Sequence, residues 1–274
     1  MRHEPSGRLA AAVVLLTSGA LLLTGIAAAS GGPTEPFLVD GAPAAGALAP
    51  VAPEQPSASA MPSVSADGLT LTSAEVAASA PARAAPEWVD AVARASGIPA
   101  PALQGYADAT LTLDREDPGC RLGWTTLAGI GAIESGHGTH GGSALGEDGR
   151  AFPAIVGPAL DGVVFAAIRA SELSRALDGD PLWQHAVGPL QFLPDTWERW
   201  GADGDGDGRE DPQDIDDAAL AAGRYLCVGG GDLATAAGWH RAVFSYNHDE
   251  EYVAAVLARA DAYATASTVA SPEP

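Results

Sequence analysis

The chain has 274 residues, 47% of them hydrophobic, with a formal net charge of −21 and a sequence pI near 4.3. That length and apolar content suffice for one substantial core. The acidity opposes attraction to nucleic acid phosphates and anionic lipid heads, so no nucleic acid partner is expected and a membrane enters only through an N-terminal anchor.

Leu9 to Ser30 form an apolar run behind Arg2 and Arg8 that ends in Ala27-Ala28-Ala29, a small-residue cleavage site. Residues 1–30 therefore read as a signal peptide or a retained membrane anchor, since about 20 apolar residues also span a bilayer. In either form the chain is exported. From 31 to 85 the sequence is Ala, Pro, Ser and Gly with few aromatics and no helical or strand period. Such a composition cannot offset its ordering entropy, so a disordered tether is predicted. The ordered domain is expected over 86–266, with a flexible tail at 267–274.

Within that domain, "PEWVDAVARASG" carries Val89, Val92 and Ala95 at helical spacing and stops at Gly97. "PALQGYADATLTLD" reads as a second helix and "RLGWTTLAGIGAIES" as a third, the most apolar. Glycine recurs too often from Gly136 to Gly162 for a regular element, and an irregular segment of that size suggests the lip of a cleft. Short helices are predicted within "DPLWQHAVGPLQFLPDTWERWG", where Asp195 and Glu198 resemble a capping box. Further helices follow in "DIDDAALAAGRYLC", "DLATAAGWHRAVFSY" and "HDEEYVAAVLARADAYA". No alternation demands a sheet, so an all-α single domain, expected to be a monomer, is predicted.

Cys120 and Cys227 are the only cysteines. In an exported chain two distant cysteines are expected to pair, with two separately buried thiols as the alternative.

Glu134 is the residue whose placement asks for a reason. It sits in the last turn of the third helix, where backbone carbonyls point partial negative charge at it, and its helical neighbours Ile130 and Ile133 are apolar. Both factors hold the proton on the carboxyl, as a general acid requires. Glycines at 136, 138, 141 and 142 are expected to carry the backbone away and leave the acid facing open space. A solvated helix-end residue is the plain alternative. His137 and His140 beside it imitate a metal set, yet the helix break removes the i, i+4 geometry of a zinc helix.

"IESGHG", "AVGPLQFLPDTW" and "FSYN" occur in the order and rough spacing of the lytic murein transglycosylases. The chain resembles in particular the membrane-bound B-type and their actinobacterial relatives, which share a goose-lysozyme-like helical fold. The resemblance implies that Glu134 is the single catalytic acid and base, with Ser135 beside it. It implies that Gly188 and Gln191 belong to a glycan-contacting "GPLQ" segment, and that Tyr246 and Asn247 form the wall opposite Glu134. Gln191 offers a donor and an acceptor to an acetamido or hydroxyl group, and Tyr246 a flat face to a sugar ring. Without the resemblance, Gln191 as a helix cap and Tyr246 as core fit equally well.

Between the second and third blocks lies "DGDGDGREDPQD", which aligns with an EF-hand calcium loop. Asp203, Asp205 and Asp207 take positions 1, 3 and 5, Gly208 takes 6, the Arg209 carbonyl 7, Asp211 9 and Asp214 12. Asp at position 12 reaches less far than the usual Glu, and Glu210 stands where paired EF-hands place an apolar residue. One unpaired structural calcium site is therefore expected, with a solvated acidic loop as the alternative.

Glycosidases commonly use two carboxylates, and only one well-placed acid is legible, Asp161 being an unplaced candidate for a second. The resemblance implies cleavage of peptidoglycan glycan strands at the MurNAc-β-1,4-GlcNAc bond, the muramyl 6-hydroxyl closing onto C1 to give a 1,6-anhydro product during cell-wall remodelling. The alternatives are lysozyme-like hydrolysis on the same fold and a non-catalytic, calcium-dependent wall-binding module.

Overall fold

A computed structural model describes residues 83–163 and 166–270. The expected signal peptide or anchor and nearly all of the expected tether lie outside these residues. Eight α-helices are present among them: α1 Pro86–Ser96, α2 Ala100–Glu116, α3 Trp124–Ser135, α4 Glu172–Asp178, α5 Pro194–Trp200, α6 Ile215–Gly230, α7 Ala236–Tyr246 and α8 Glu250–Ala270. The fold is mostly helical, consistent with a lysozyme-like domain. Among the described residues the sheet is one short hairpin, β1 Ala144–Leu145 against β2 Ala151–Phe152, antiparallel with Ala144 opposite Phe152. Among the described residues no helix is long and apolar enough to cross a membrane.

Three predicted helices start or stop on local signals. α1 begins with Pro86 at its first position and ends with Gly97 in the left-handed conformation. α6 begins at Asp214, whose side chain accepts the Asp216 N–H, and α7 at Thr235, whose side chain accepts the Gly238 N–H. Other expectations are corrected. Of the short helices expected within residues 180–201 only α5 forms; 181–193 is not helical, and α4 lies before that stretch, opened by a capping box between Ser171 and Ser174. Asp195 caps nothing, because Leu193 precedes Pro194 at the start of α5 and proline has no N–H to satisfy; its carboxylate accepts Gln184 Nε2 instead. α8 continues to Ala270, past the expected boundary at 266. Ala84 and Arg83, expected in the tether, are bound to Asp108 by a backbone N–H at 2.6 Å and an ion pair at 3.4 Å.

The core follows from α3, which buries Leu127, Ala128, Gly129, Ile130 and Gly131 in one run. A helix apolar all round belongs at the centre of a domain. α2 packs on α6, α3 on α8, and α7 on α6. Leu103, Leu127, Ile130, Leu190, Phe192, Ile215, Leu226 and Val256 form one cluster, each contributing about 2 kcal/mol of burial. α8 approaches α3 at Gly129, where a Cβ would stand 2.8 Å from the Val256 carbonyl oxygen. That close approach brings the first turn of α8 to the end of α3. Cys120, just after α2, forms a disulfide with Cys227 on α6. A crosslink over 107 residues removes about 4 kcal/mol or more of unfolded-chain freedom in the entropy model.

Candidate active site

Glu134 ends α3 as predicted, with Gly136 left-handed immediately after it. Its surroundings differ from expectation. The glycine-rich turn folds back over the helix end instead of opening it, and Glu134 is 4% exposed. Tyr252, on the first turns of α8, donates its hydroxyl to Glu134 Oε1 at 2.6 Å. Oε2 is buried without a hydrogen-bond partner among the described residues. Burial pushes the Glu134 carboxyl up to about 8, and the Tyr252 bond offsets only part of that rise. Burial, and then the neighbouring Glu134 charge, push Tyr252 well above the usual phenol range, so Tyr252 remains a donor.

Ser135 does not offer a free hydroxyl to a ligand. Its Oγ donates to the Pro189 carbonyl at 2.6 Å and accepts the Gly138 N–H at 2.7 Å, joining the end of α3 to the "GPLQ" turn. That turn, closed by pairing of Val187 with Phe192, holds Gly188 at φ 79° and Gln191 at φ 50°. Gly188 has no room for a side chain because the Pro212 carbonyl occupies the place of its Cβ. Gln191 is 5% exposed and donates Nε2 to the Gly188 carbonyl at 2.9 Å.

Tyr246 corrects the reading of a sugar-stacking wall. It is fully buried, stands edge-on to Phe192 and Tyr225, and donates its hydroxyl to the Leu190 carbonyl at 2.9 Å. Asn247 is half-buried and ends α7, its N–H donating to the Val243 carbonyl. The structure thus gathers Glu134, Ser135, the "GPLQ" turn and Tyr246, but Ser135 and Tyr246 act as braces on the carbonyls of Pro189 and Leu190. His137 is a brace as well: its ring bridges the hydroxyls of Tyr106 at 3.2 Å and Tyr263 at 2.8 Å. Burial, then nearby Arg259, push His137 down to about 4, so it is neutral at ordinary pH.

The acidic loop has the turns of an EF-hand but a different convergence. Asp203 accepts the N–H groups of Gly206 and Gly208, and Gly208 stands at φ 86°. The carboxylates that meet are Asp203, Asp205 and Asp217, whose oxygens lie within 4.8 Å of one another. Oxygens so spaced suit a cation bound at about 2.3–2.6 Å. Asp214, expected at position 12, faces elsewhere because it serves as the N-cap of α6. Asp217, one turn later, reaches back to accept the N–H groups of Gly204 at 2.6 Å and Asp211 at 2.8 Å. Asp207, Asp211 and Asp214 surround Arg150.

Tyr252 and Asp217 were not legible as site residues. Tyr252 does carry a signal, since Tyr252, Val256, Ala260 and Tyr263 share one buried stripe of α8, and a buried phenol needs a hydrogen-bond partner. Asp217 lies in the first turn of α6, where the helix dipole alone accounts for an acid.

Among the described residues the domain is mostly helical and carries at the end of α3 a buried carboxyl, Glu134, that burial holds above the usual carboxylate range. Residues 177–231 match the family model described as Transglycosylase SLT domain, which supports a lytic-transglycosylase-like family for the chain. At that level the match supports a glycosidic-bond-cleaving enzyme acting on peptidoglycan of the cell wall. The matched stretch holds the "GPLQ" turn, α5, the acidic loop and α6, and leaves Glu134, Tyr246 and Tyr252 outside. Comparison with curated proteins and with solved structures finds no match.

Proposed function

We propose that the protein is an exported peptidoglycan lytic transglycosylase that cleaves the MurNAc-β-1,4-GlcNAc bond and leaves a 1,6-anhydro-muramyl end, in the service of cell-wall remodelling. The observation that carries this reading is the state of Glu134: buried, pushed up to about 8, and with one oxygen unpartnered. Such a carboxyl is protonated at neutral pH and holds its proton out of bulk water.

In the proposed reaction Glu134 donates its proton to the bridging oxygen as the bond to C1 breaks through an oxocarbenium-like state. The resulting carboxylate then takes the proton of the muramyl 6-hydroxyl while that oxygen bonds to C1. One proton leaves Glu134 and one returns, no water is consumed, and proximity supplies much of the second step. Tyr252 keeps its hydrogen on Oε1 throughout, stabilising the carboxylate between the two transfers. No second carboxylate is needed; Asp161 is exposed, and its carboxylate accepts the Val163 N–H.

The reading includes one structural calcium ion, held by Asp203, Asp205 and Asp217, which would offset part of the loop's negative charge and fix its turns. The test of the reaction is mass analysis of digested peptidoglycan. Anhydro ends are expected; reducing ends, heavier by one water per cut, would establish hydrolysis instead. Glu134→Gln is expected to abolish cutting and retain glycan binding, and a Glu134→Gln protein that still cuts would remove the residue from the mechanism.

A further inference from the structure

The carboxylates at EF-hand positions 5, 9 and 12 face one guanidinium. Arg150 Nη2 donates to Asp207 Oδ2 at 3.1 Å, Nη1 donates to Asp211 Oδ2 at 2.7 Å, and Nε stands 3.6 Å from Asp214 Oδ2. The Asp214 side chain is 1% exposed. Loss of its guanidinium would leave a buried charge uncompensated, a costly state. The fork of an arginine can serve several carboxylates at once, which an ammonium does less well.

The segment these carboxylates belong to is the support of the "GPLQ" turn. Next to Arg150, the Ala151 N–H donates to the Gln213 carbonyl and the Ile215 N–H to the Gly149 carbonyl. The Gln213 side chain grips Ile155 twice, accepting its N–H at 2.8 Å and donating to its carbonyl at 2.9 Å. The Ile155 carbonyl then accepts the Gly188 N–H at 2.9 Å. From the other side the Pro212 carbonyl fills the place of a Gly188 side chain. A shift of residues 211–215 therefore moves the turn whose Pro189 carbonyl is bonded to Ser135, the neighbour of Glu134.

We propose that Arg150 is the resident cation of the acidic loop and a positioning residue for the "GPLQ" turn: it holds Asp207, Asp211 and Asp214 in place of a metal, and leaves Asp203, Asp205 and Asp217 to take one divalent cation. In this arrangement the half of the loop that supports the turn stays ordered whether or not a metal is bound. The proposal rests on the transglycosylase reading only where activity is measured; its metal-binding part is independent of it.

The test is calcium titration calorimetry on the full chain, with melting temperatures in calcium and in chelator. Arg150→Gln is expected to bind calcium about tenfold more tightly than the wild type, because it removes a positive charge beside the site and frees three carboxylates. Its melting temperature should respond to chelator more than that of the wild type, and Arg150→Lys should stand between the two. Asp217→Asn should lose about tenfold or more in calcium affinity, whereas Asp207→Asn should change it by no more than about threefold. In activity assays in chelator, Arg150→Gln should raise KM for glycan about fivefold with the alkaline limb unmoved, and calcium should restore KM. An Arg150→Gln affinity equal to wild type, or Asp207→Asn losing calcium as fully as Asp217→Asn, overturns the proposal. So does an absence of calcium binding in every variant. If Arg150→Gln does not fold, the Asp207→Asn, Asp211→Asn double variant decides: retained calcium affinity with a lowered melting temperature supports the partition, and lost affinity overturns it.

Discussion

Tyr252 donates its hydroxyl to Glu134 Oε1 at 2.6 Å, joining residues 118 apart in the chain. The bond ties the acid at the end of α3 to the first turns of α8 and leaves Oε2 buried without a hydrogen-bond partner among the described residues.

The first consequence is kinetic. With Glu134 pushed up to about 8 by burial, kcat/KM should fall along an alkaline limb near that pH, because the acid must be protonated in the free enzyme. The Tyr252 bond lowers the carboxyl, so Tyr252→Phe should shift the limb to higher pH while reducing kcat. Removal of the acid in Glu134→Gln should cost about 10²–10⁴-fold or more in rate. Rate profiles of the wild type and Tyr252→Phe on soluble peptidoglycan fragments check the order of the limbs, and Glu134→Gln should show none.

The same carboxyl links stability to pH. Its folded value, about 8, lies above the ordinary 4.5, so between these values the folded state holds a proton that the unfolded state has released. This contribution is full below pH 4.5 and is lost as pH rises through 8. The loss is of the order of a few kcal/mol. Glu134→Gln should lack that component of the slope and be the more stable protein at pH 9. Urea unfolding of both proteins at several pH values measures the difference, and parallel curves would refute it.

Gly188 is required by the backbone, whatever its relation to glycan. At φ 79°, with the Pro212 carbonyl in the place of its Cβ, Gly188→Ala should destabilise by about 3 kcal/mol or more, combining backbone strain with a collision. Thermal unfolding checks this without any substrate.

Ser135 and Tyr246 brace adjacent carbonyls of one turn, those of Pro189 and Leu190. Ser135→Ala and Tyr246→Phe should each cost about 1–3 kcal/mol by leaving a buried acceptor unsatisfied. Since both act on the same turn, the double variant should depart from additivity by about 0.5 kcal/mol or more, which a double-mutant cycle reads directly.

The positions of most helices were legible because their signals are local. Gly97 and Gly136 stop α1 and α3, and the unbroken apolar run from Leu127 to Gly131 marks α3 as the central helix. The non-helical part of the stretch 180–201, where short helices were expected, and the missed α4 show where local signals mislead. Apolar residues such as Val187 and Leu190 imitate helical spacing, yet they are buried in an irregular turn held by cross-chain pairing. At the site, the end of α3 and the acidity of the loop were legible, whereas the direction in which each side chain faces was not. Tyr246 offered the same aromatic ring to a sugar or to the core, and only the neighbours Phe192 and Tyr225 decide between them.

The sequence by itself determined a mostly helical domain, an acid at the end of its most apolar helix and an acidic loop with EF-hand turns, because periodicity, capping and glycine placement act over a few residues. Tertiary structure alone decided that Tyr252 meets Glu134, that Asp217 and not Asp214 joins Asp203 and Asp205, and that Arg150 takes Asp214. Those choices depend on helices separated in the chain coming into contact. Helix period fixes which face a residue occupies, but packing at places such as Gly129 fixes what that face meets.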